Sequence, residues 1–140
     1  MESVLKKNIP FRFTAPGISM TPFIRDGDVI TIEPVAIPLR RGDVVAFVNP
    51  FSEKLTVHRI INISQAGYLI KGDNISDSDG RVPFSSIIGR VACVEHCGQK
   101  VWLGIGFERI IIAWLSQHGL LPILMRRIWP LIKPLLGKWF

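Results

Sequence analysis

Short runs of β-branched and aromatic residues, parted by turns bearing Gly, Pro and Asp, fill the first two thirds of the chain. Val29–Glu33 (VITIE) has strand composition, and Val44–Val48 (VVAFV) reads as a buried strand that Asn49-Pro50 ends. Lys54–Ile63 (KLTVHRIINI) and Tyr68–Lys71 follow as strands, and strand-like composition returns over Val82–Val94 with a break at Gly89. Asp26-Gly27 and Arg41-Gly42-Asp43 mark turns, and residues 1–13 form a lead-in. Period-2 alternation puts Thr56, His58 and Ile60 on one strand face and Val57, Arg59 and Ile61 on the other. Short strands at this spacing predict a mainly β, strongly bent antiparallel unit rather than an α/β sheet.

From Glu108 the period changes. Apolar residues recur at helical spacing, punctuated by Gly119, Pro122, Pro130 and Pro134, which predicts two or three short helices. The expected division is a β domain over 1–107 and an amphipathic helical segment over 108–140. Arg126, Arg127, Lys133 and Lys138 stand among Trp129, Leu131, Ile132, Leu135, Leu136, Trp139 and Phe140. Cations beside aromatic and aliphatic residues suit a helix lying in a membrane interface. The competing reading is a helical cap on the β unit, or a dimer contact.

Composition narrows the partners. The 140 residues suffice for one domain with a real core, and 48% of them are hydrophobic. Lys and Arg outnumber Asp and Glu by 17 to 11, a net charge of +6, so acidic partners are favoured. The Leu-, Ile- and Trp-rich C-terminus directs that charge to a membrane surface rather than to nucleic acid. Residues 1–13 lack the apolar stretch of a secretory signal, and the run 110–125 is broken by Ser116, Gln117, His118, Gly119 and Pro122. Association with a membrane surface is therefore expected to be peripheral or monotopic, with a cytoplasmic location the alternative. Cys93 and Cys97 flank His96, but no further ligands complete a metal site, so neither a metal nor a cofactor is expected. The two cysteines are expected as buried free thiols.

The candidate chemistry lies in three separated stretches. Ser19 follows Pro16-Gly17 in Gly17-Ile18-Ser19-Met20-Thr21-Pro22, where a tight backbone can expose Oγ and turn amide N–H groups toward a substrate carbonyl. His58 sits in an apolar strand, where it must find a buried partner or face a cleft. Asp73, Asp77 and Asp79 crowd the loop opened by Lys71-Gly72-Asp73-Asn74. Nucleophile, base and orienting carboxylate are the roles of a serine-hydrolase site. Taken singly, each has a plainer account: a capping hydroxyl, a core histidine, an Asp-rich turn.

The blocks G-x-S-M-x-P, R-D-G-D-x-[VI], R-G-D-V-V-x-F, V-H-R-I and K-G-D-N occur in one order between Gly17 and Arg90. This arrangement resembles the signal peptidase I family, within the clan that also holds the LexA-type self-cleaving peptidases. His58 before Arg59 resembles the ER and archaeal variant, which pairs Ser with His and Asp. The resemblance implies the clan's coiled antiparallel β fold, Ser19 as nucleophile and His58 as general base. Asp79 matches the later essential acid and is the favoured orienter, while Asp73 matches the Gly-Asp-Asn acid and serves either as orienter or as a positioner of its loop. The family's N-terminal membrane anchor before the Ser motif has no counterpart here, and Gly17 stands where many members carry a hydroxyl. An oxyanion hole would then rest on backbone N–H groups. A self-cleaving repressor would need a DNA-binding region before Gly17 and a Lys where His58 stands.

The expected function is a serine endopeptidase resembling signal peptidase I, cutting an extended signal or leader peptide. The partners expected are a peptide or preprotein and a membrane surface, with oligomeric state left open. The alternatives are a maturation peptidase for one dedicated peptide, and an inactive membrane-surface binding module.

Overall fold

The computed structural model describes residues 9–35 and 38–136; most of the lead-in and Lys138, Trp139 and Phe140 lie outside it. Eight strands form one antiparallel sheet: β1 (Phe11–Thr14), β2 (Val29–Glu33), β3 (Val44–Val48), β4 (Leu55–Ser64), β5 (Gly67–Lys71), β6 (Arg81–Val82), β7 (Ile87–His96) and β8 (Gln99–Val101). Their spatial order is β1-β2-β7-β3-β4-β5-β6, with β8 on β7. Two helices close the chain, α1 (Arg109–Gln117) and α2 (Leu121–Leu136). The mainly β expectation with short C-terminal helices is what the chain adopts.

β7 is the hub of the sheet. One edge pairs with β2 over Arg90–Glu95, and the other takes β3 over Ile87–Arg90 and then β8 over Val94–His96. The predicted break at Gly89 does not occur. The strand runs through it, because a Cβ there would lie 2.4 Å from the Glu33 carbonyl oxygen: Gly89 lets β2 approach. The chain interrupts instead at Pro83, ahead of a single 3₁₀ turn over Phe84–Ser86. β1, which overlaps the end of the predicted lead-in and runs on to Thr14, and β8 add to the predicted strands.

The sheet bends enough to bury β3 on both faces. Val44 and Ala46 join one core with Ile30, Ile32, Val91 and Val94, while Val45 and Phe47 join another with Ile60, Ile70 and Val82. That explains an uninterrupted apolar strand in an antiparallel sheet, where one wet face is the usual arrangement. The two Arg-x-Gly-Asp turns before β2 and β3 are built alike. Asp28 and Asp43 each accept a hydrogen bond at 2.8 Å from the N–H of Arg25 and Arg40, and Gly27 and Gly42 take φ of 88° and 99°, where a side chain is strained.

The helices are tied to the sheet by packing and by cations. Ile112 of α1, Leu121 of α2 and Phe23 form a third core. Arg41 bonds the Gln117 carboxamide, the Lys71 ammonium donates to the Ser116 carbonyl at 2.9 Å, and Arg109 lies 3.3 Å from Asp43. α1 ends in a Schellman arrangement: Gly119 N–H donates to Ser116 and Leu120 N–H to Leu115, with Gly119 at φ 70°. Pro130 and Pro134 do not end α2 as punctuation predicts. Each removes one intrahelical bond, and both lie on an exposed stripe where water can take the freed carbonyls.

Candidate active site

Ser19 lies in a turn held from both ends. Gly17 N–H donates to the Asp26 carboxylate at 2.7 Å, and the Thr21 N–H and hydroxyl both reach the Ile18 carbonyl. Phe23 and Ile24 N–H groups then bond the Met20 carbonyl, and Met20, Phe23 and Ile24 are buried, so the segment after Ser19 is anchored in the core. Ser19 itself is half-buried.

A second loop clamps this turn. Asn74 N–H donates to the Ser19 carbonyl at 2.9 Å, and its carboxamide donates to the Ile18 carbonyl at 3.2 Å. Gly72 fits between nucleophile turn and histidine. A Cβ there would stand 2.8 Å from the Ser19 backbone carbonyl oxygen and 3.1 Å from His58 Nε2, so only glycine lets the backbone of the Ser19 turn and the His58 ring both pack against this position.

His58, in β4 opposite Val45, is buried at 5% exposure with its ring 6.3 Å from that of Phe47. Its Nδ1 bonds the Asp79 carboxylate. A carboxylate can only accept, so Nδ1 is the donor in this bond, and Nε2 is the ring nitrogen beside Gly72. The loop returns to make this contact: Asp79 N–H donates to the Ile70 carbonyl at 2.7 Å, setting Asp79 beside the end of β5.

Asp73 has a different partner. Its two oxygens receive Arg59 Nε at 2.9 Å and Nη2 at 2.8 Å, while Arg59 Nη1 donates to the carbonyls of Gly42 at 2.9 Å and Gly104 at 2.6 Å. Both side chains are fully buried, and the guanidinium lies 5.6 Å over the Phe23 ring. Paired and hydrogen-bonded throughout, Arg59 pins β4, the β3 turn and the loop before α1 to the Gly72–Asn74 segment. Sequence reasoning assigned no role to Arg59, Gly72 or Asn74. Their signal was membership of the V-H-R-I and K-G-D-N blocks, each beside a predicted site residue.

Burial pushes the Lys71 ammonium below the ordinary lysine range, against the opposing pull of Asp73 and Asp77. A second His–Asp pair, His96 Nδ1 to Asp28 at 2.5 Å, fixes the β7–β8 hairpin to the turn before β2. Cys93 is half-buried and Cys97 exposed in that hairpin, both free, so the expected burial of both thiols is corrected. Among the described residues no cluster of three or more His, Cys, Asp or Glu side chains is placed to hold a metal ion.

Beside Ser19 runs a groove of about 210 Å³, walled by Phe13, Ala15, Met20 and Ile24 on one side and by Leu55 and Val57 on the other. Ser52, Lys54 and Thr56 line it as well. A half-buried hydroxyl, a histidine oriented by a carboxylate and an adjoining, mainly apolar groove together suit nucleophilic attack on an extended acyl substrate. The sequence model of the family described as Peptidase S24-like matches residues 2–92, a span that contains Ser19, His58, Asp73 and Asp79. No curated protein matches the chain.

Proposed function

The chain belongs to the Peptidase S24-like family, and we propose that it is a serine endopeptidase of the signal-peptidase kind, using Ser19, His58 and Asp79. The observation that carries this is the bond from His58 Nδ1 to Asp79, with Nε2 turned toward the Gly72 gap where the Ser19 turn docks.

His58 Nε2 takes the Ser19 Oγ proton as Oγ attacks the peptide carbonyl, and Asp79 stabilises the imidazolium. The oxyanion is met by backbone N–H groups of the turn. Those of Gly17 and Thr21 are already engaged, so the N–H groups of Ile18, Ser19 and Met20 are the candidate donors. Collapse breaks the C–N bond, and His58 gives its proton to the departing amine. Water, deprotonated by His58, then cleaves the acyl ester and restores the Ser19 hydroxyl. Asp73 is a positioning residue, holding the Gly72–Asn74 clamp through Arg59. The narrow groove before Ser19 suits small side chains. A signal or leader peptide, exposed and extended, is the substrate that this arrangement favours.

A membrane surface is the proposed setting. No helix among the described residues is long and apolar enough to cross a bilayer. Phe107, Ile110, Ile111 and Trp114 on the α1 side, and Leu131 and Leu135 on α2, are exposed, and residues 109–140 contain five Lys or Arg and no Asp or Glu. Exposed apolar area in a segment rich in Lys and Arg fits an anionic interface.

The test is cleavage of a denatured proteome-derived peptide mixture, read by mass spectrometry of new termini. Wild-type protein is expected to generate a consistent set that vanishes with Ser19→Ala and with His58→Ala. Termini that persist in Ser19→Ala, or no termini at all, contradict the assignment.

A further inference from the structure

A larger cleft, about 390 Å³, opens where the Ser19 turn ends. Thr21 and Pro22 form its near wall, and Asn74, the residue that clamps the Ser19 carbonyl, lines it too. Helix α2 is the far wall. Met125, Arg126, Trp129 and Lys133 recur at helical spacing on one stripe, away from the exposed Leu131 and Leu135. Arg25, already engaged with His96 Nε2 at 3.3 Å, also lines the cleft, and none of the lining residues is acidic.

The two clefts border successive stretches of the chain around Ser19. The groove is lined by Ala15, Pro16, Gly17, Ser19 and Met20, the cationic cleft by Thr21 and Pro22 that follow. A peptide whose acyl side lies in the groove and whose leaving side follows the chain past Ser19 enters the cleft beside α2.

We infer that this cationic cleft is the leaving-side subsite and selects substrates with an acidic side chain a few residues after the scissile bond. The inference rests on the peptidase reading. Arg126 and Lys133, both exposed, present their charge to such a carboxylate, an Arg as a planar fork and a Lys as a point charge. Met125 and Trp129 give the aliphatic stem of a Glu an apolar floor. The cleft opens to solvent and the cations are hydrated, so discrimination of about tenfold is the expected scale rather than absolute specificity.

The test uses the full chain carrying Ser19→Ala, so that peptides stay whole, and fluorescence polarisation of a labelled ten-residue Ala/Glu peptide and its Ala/Lys counterpart. The Glu peptide is expected to bind about tenfold more tightly. Arg126→Glu with Lys133→Glu should abolish that preference. Arg81→Glu with Lys100→Glu, exposed residues of β6 and β8 carrying the same change in net charge, should preserve it. Equal loss with both pairs would reduce the effect to overall charge and overturn the subsite. So would phosphatidylglycerol vesicles responding to the α2 reversal while the Glu peptide does not, which assigns the cleft to a lipid headgroup. In the wild-type digest, Asp and Glu should be enriched after the cut, and the α2 reversal should remove that enrichment without altering residues before it. A wild-type chain that cuts nothing contradicts the peptidase reading alone, because polarisation reads the cleft without catalysis.

Discussion

At the residue scale, two acids six positions apart have been given separate tasks by what each touches. Asp79 accepts from His58, and Asp73 is consumed by Arg59. Their substitution should therefore fail differently. Asp73→Asn leaves a buried guanidinium without its counter-charge, a change that costs about 3–5 kcal/mol when one partner of a buried pair is removed. The expected result is a large drop in thermal midpoint, measured by calorimetry, with activity following the folded fraction. A midpoint within a degree or two of wild type would show that the pair is dispensable. The resemblance favoured Asp79 as the orienter but left Asp73 open to either task. Both acids fit the resemblance, and only the return of the loop to Ile70 brings Asp79, and not Asp73, to the ring.

At the scale of elements, the strands that show in composition are those whose surroundings repeat along their length. VVAFV is buried on both faces and VITIE alternates, so each announces itself. β1 (FRFT) and β8 (QKV) are short and half polar, and only the neighbour each pairs with makes them strands. Gly89 misleads because glycine marks a break and a close backbone approach equally well. The joint between β5 and α1 was equally hidden, since it is one lysine reaching one carbonyl. Folded-state burial lowers the Lys71 pKa, so unfolded chain holds that proton to higher pH. Between the lowered value and 10.5 the unfolded state binds more protons, and stability must rise with pH there. Relative to Lys71→Met, wild type should gain unfolding free energy as pH is raised toward 10.5, followed by urea denaturation. A difference that stays flat or falls with pH would mean that Lys71 is not desolvated.

At the scale of the whole molecule, Ser19 borders a groove, a cationic cleft adjoins the turn that follows it, and the helices carry exposed apolar side chains within a segment rich in Lys and Arg. The membrane setting predicts sedimentation with phosphatidylglycerol vesicles at low salt, weakened severalfold by Ile110→Ser with Ile111→Ser and by raised ionic strength. Equal recovery with neutral and anionic vesicles would contradict it. The order of the blocks from Gly17 to Arg90 made the peptidase framework legible. The helices' part in it was not, because the ties run through Arg59, Lys71 and Phe23, residues whose partners lie at Gly104, Ser116 and Ile112. The claim on which the rest depends is that Asp79 orients His58 for attack by Ser19. The measurement is the cleavage rate of Asp79→Asn, with its fold checked by circular dichroism, on peptides that the wild type cuts. A folded protein with a rate lowered by about 10⁴ is expected, the scale of loss when an orienting carboxylate is neutralised and the wrong tautomer results. A folded Asp79→Asn that cuts at the wild-type rate would contradict it.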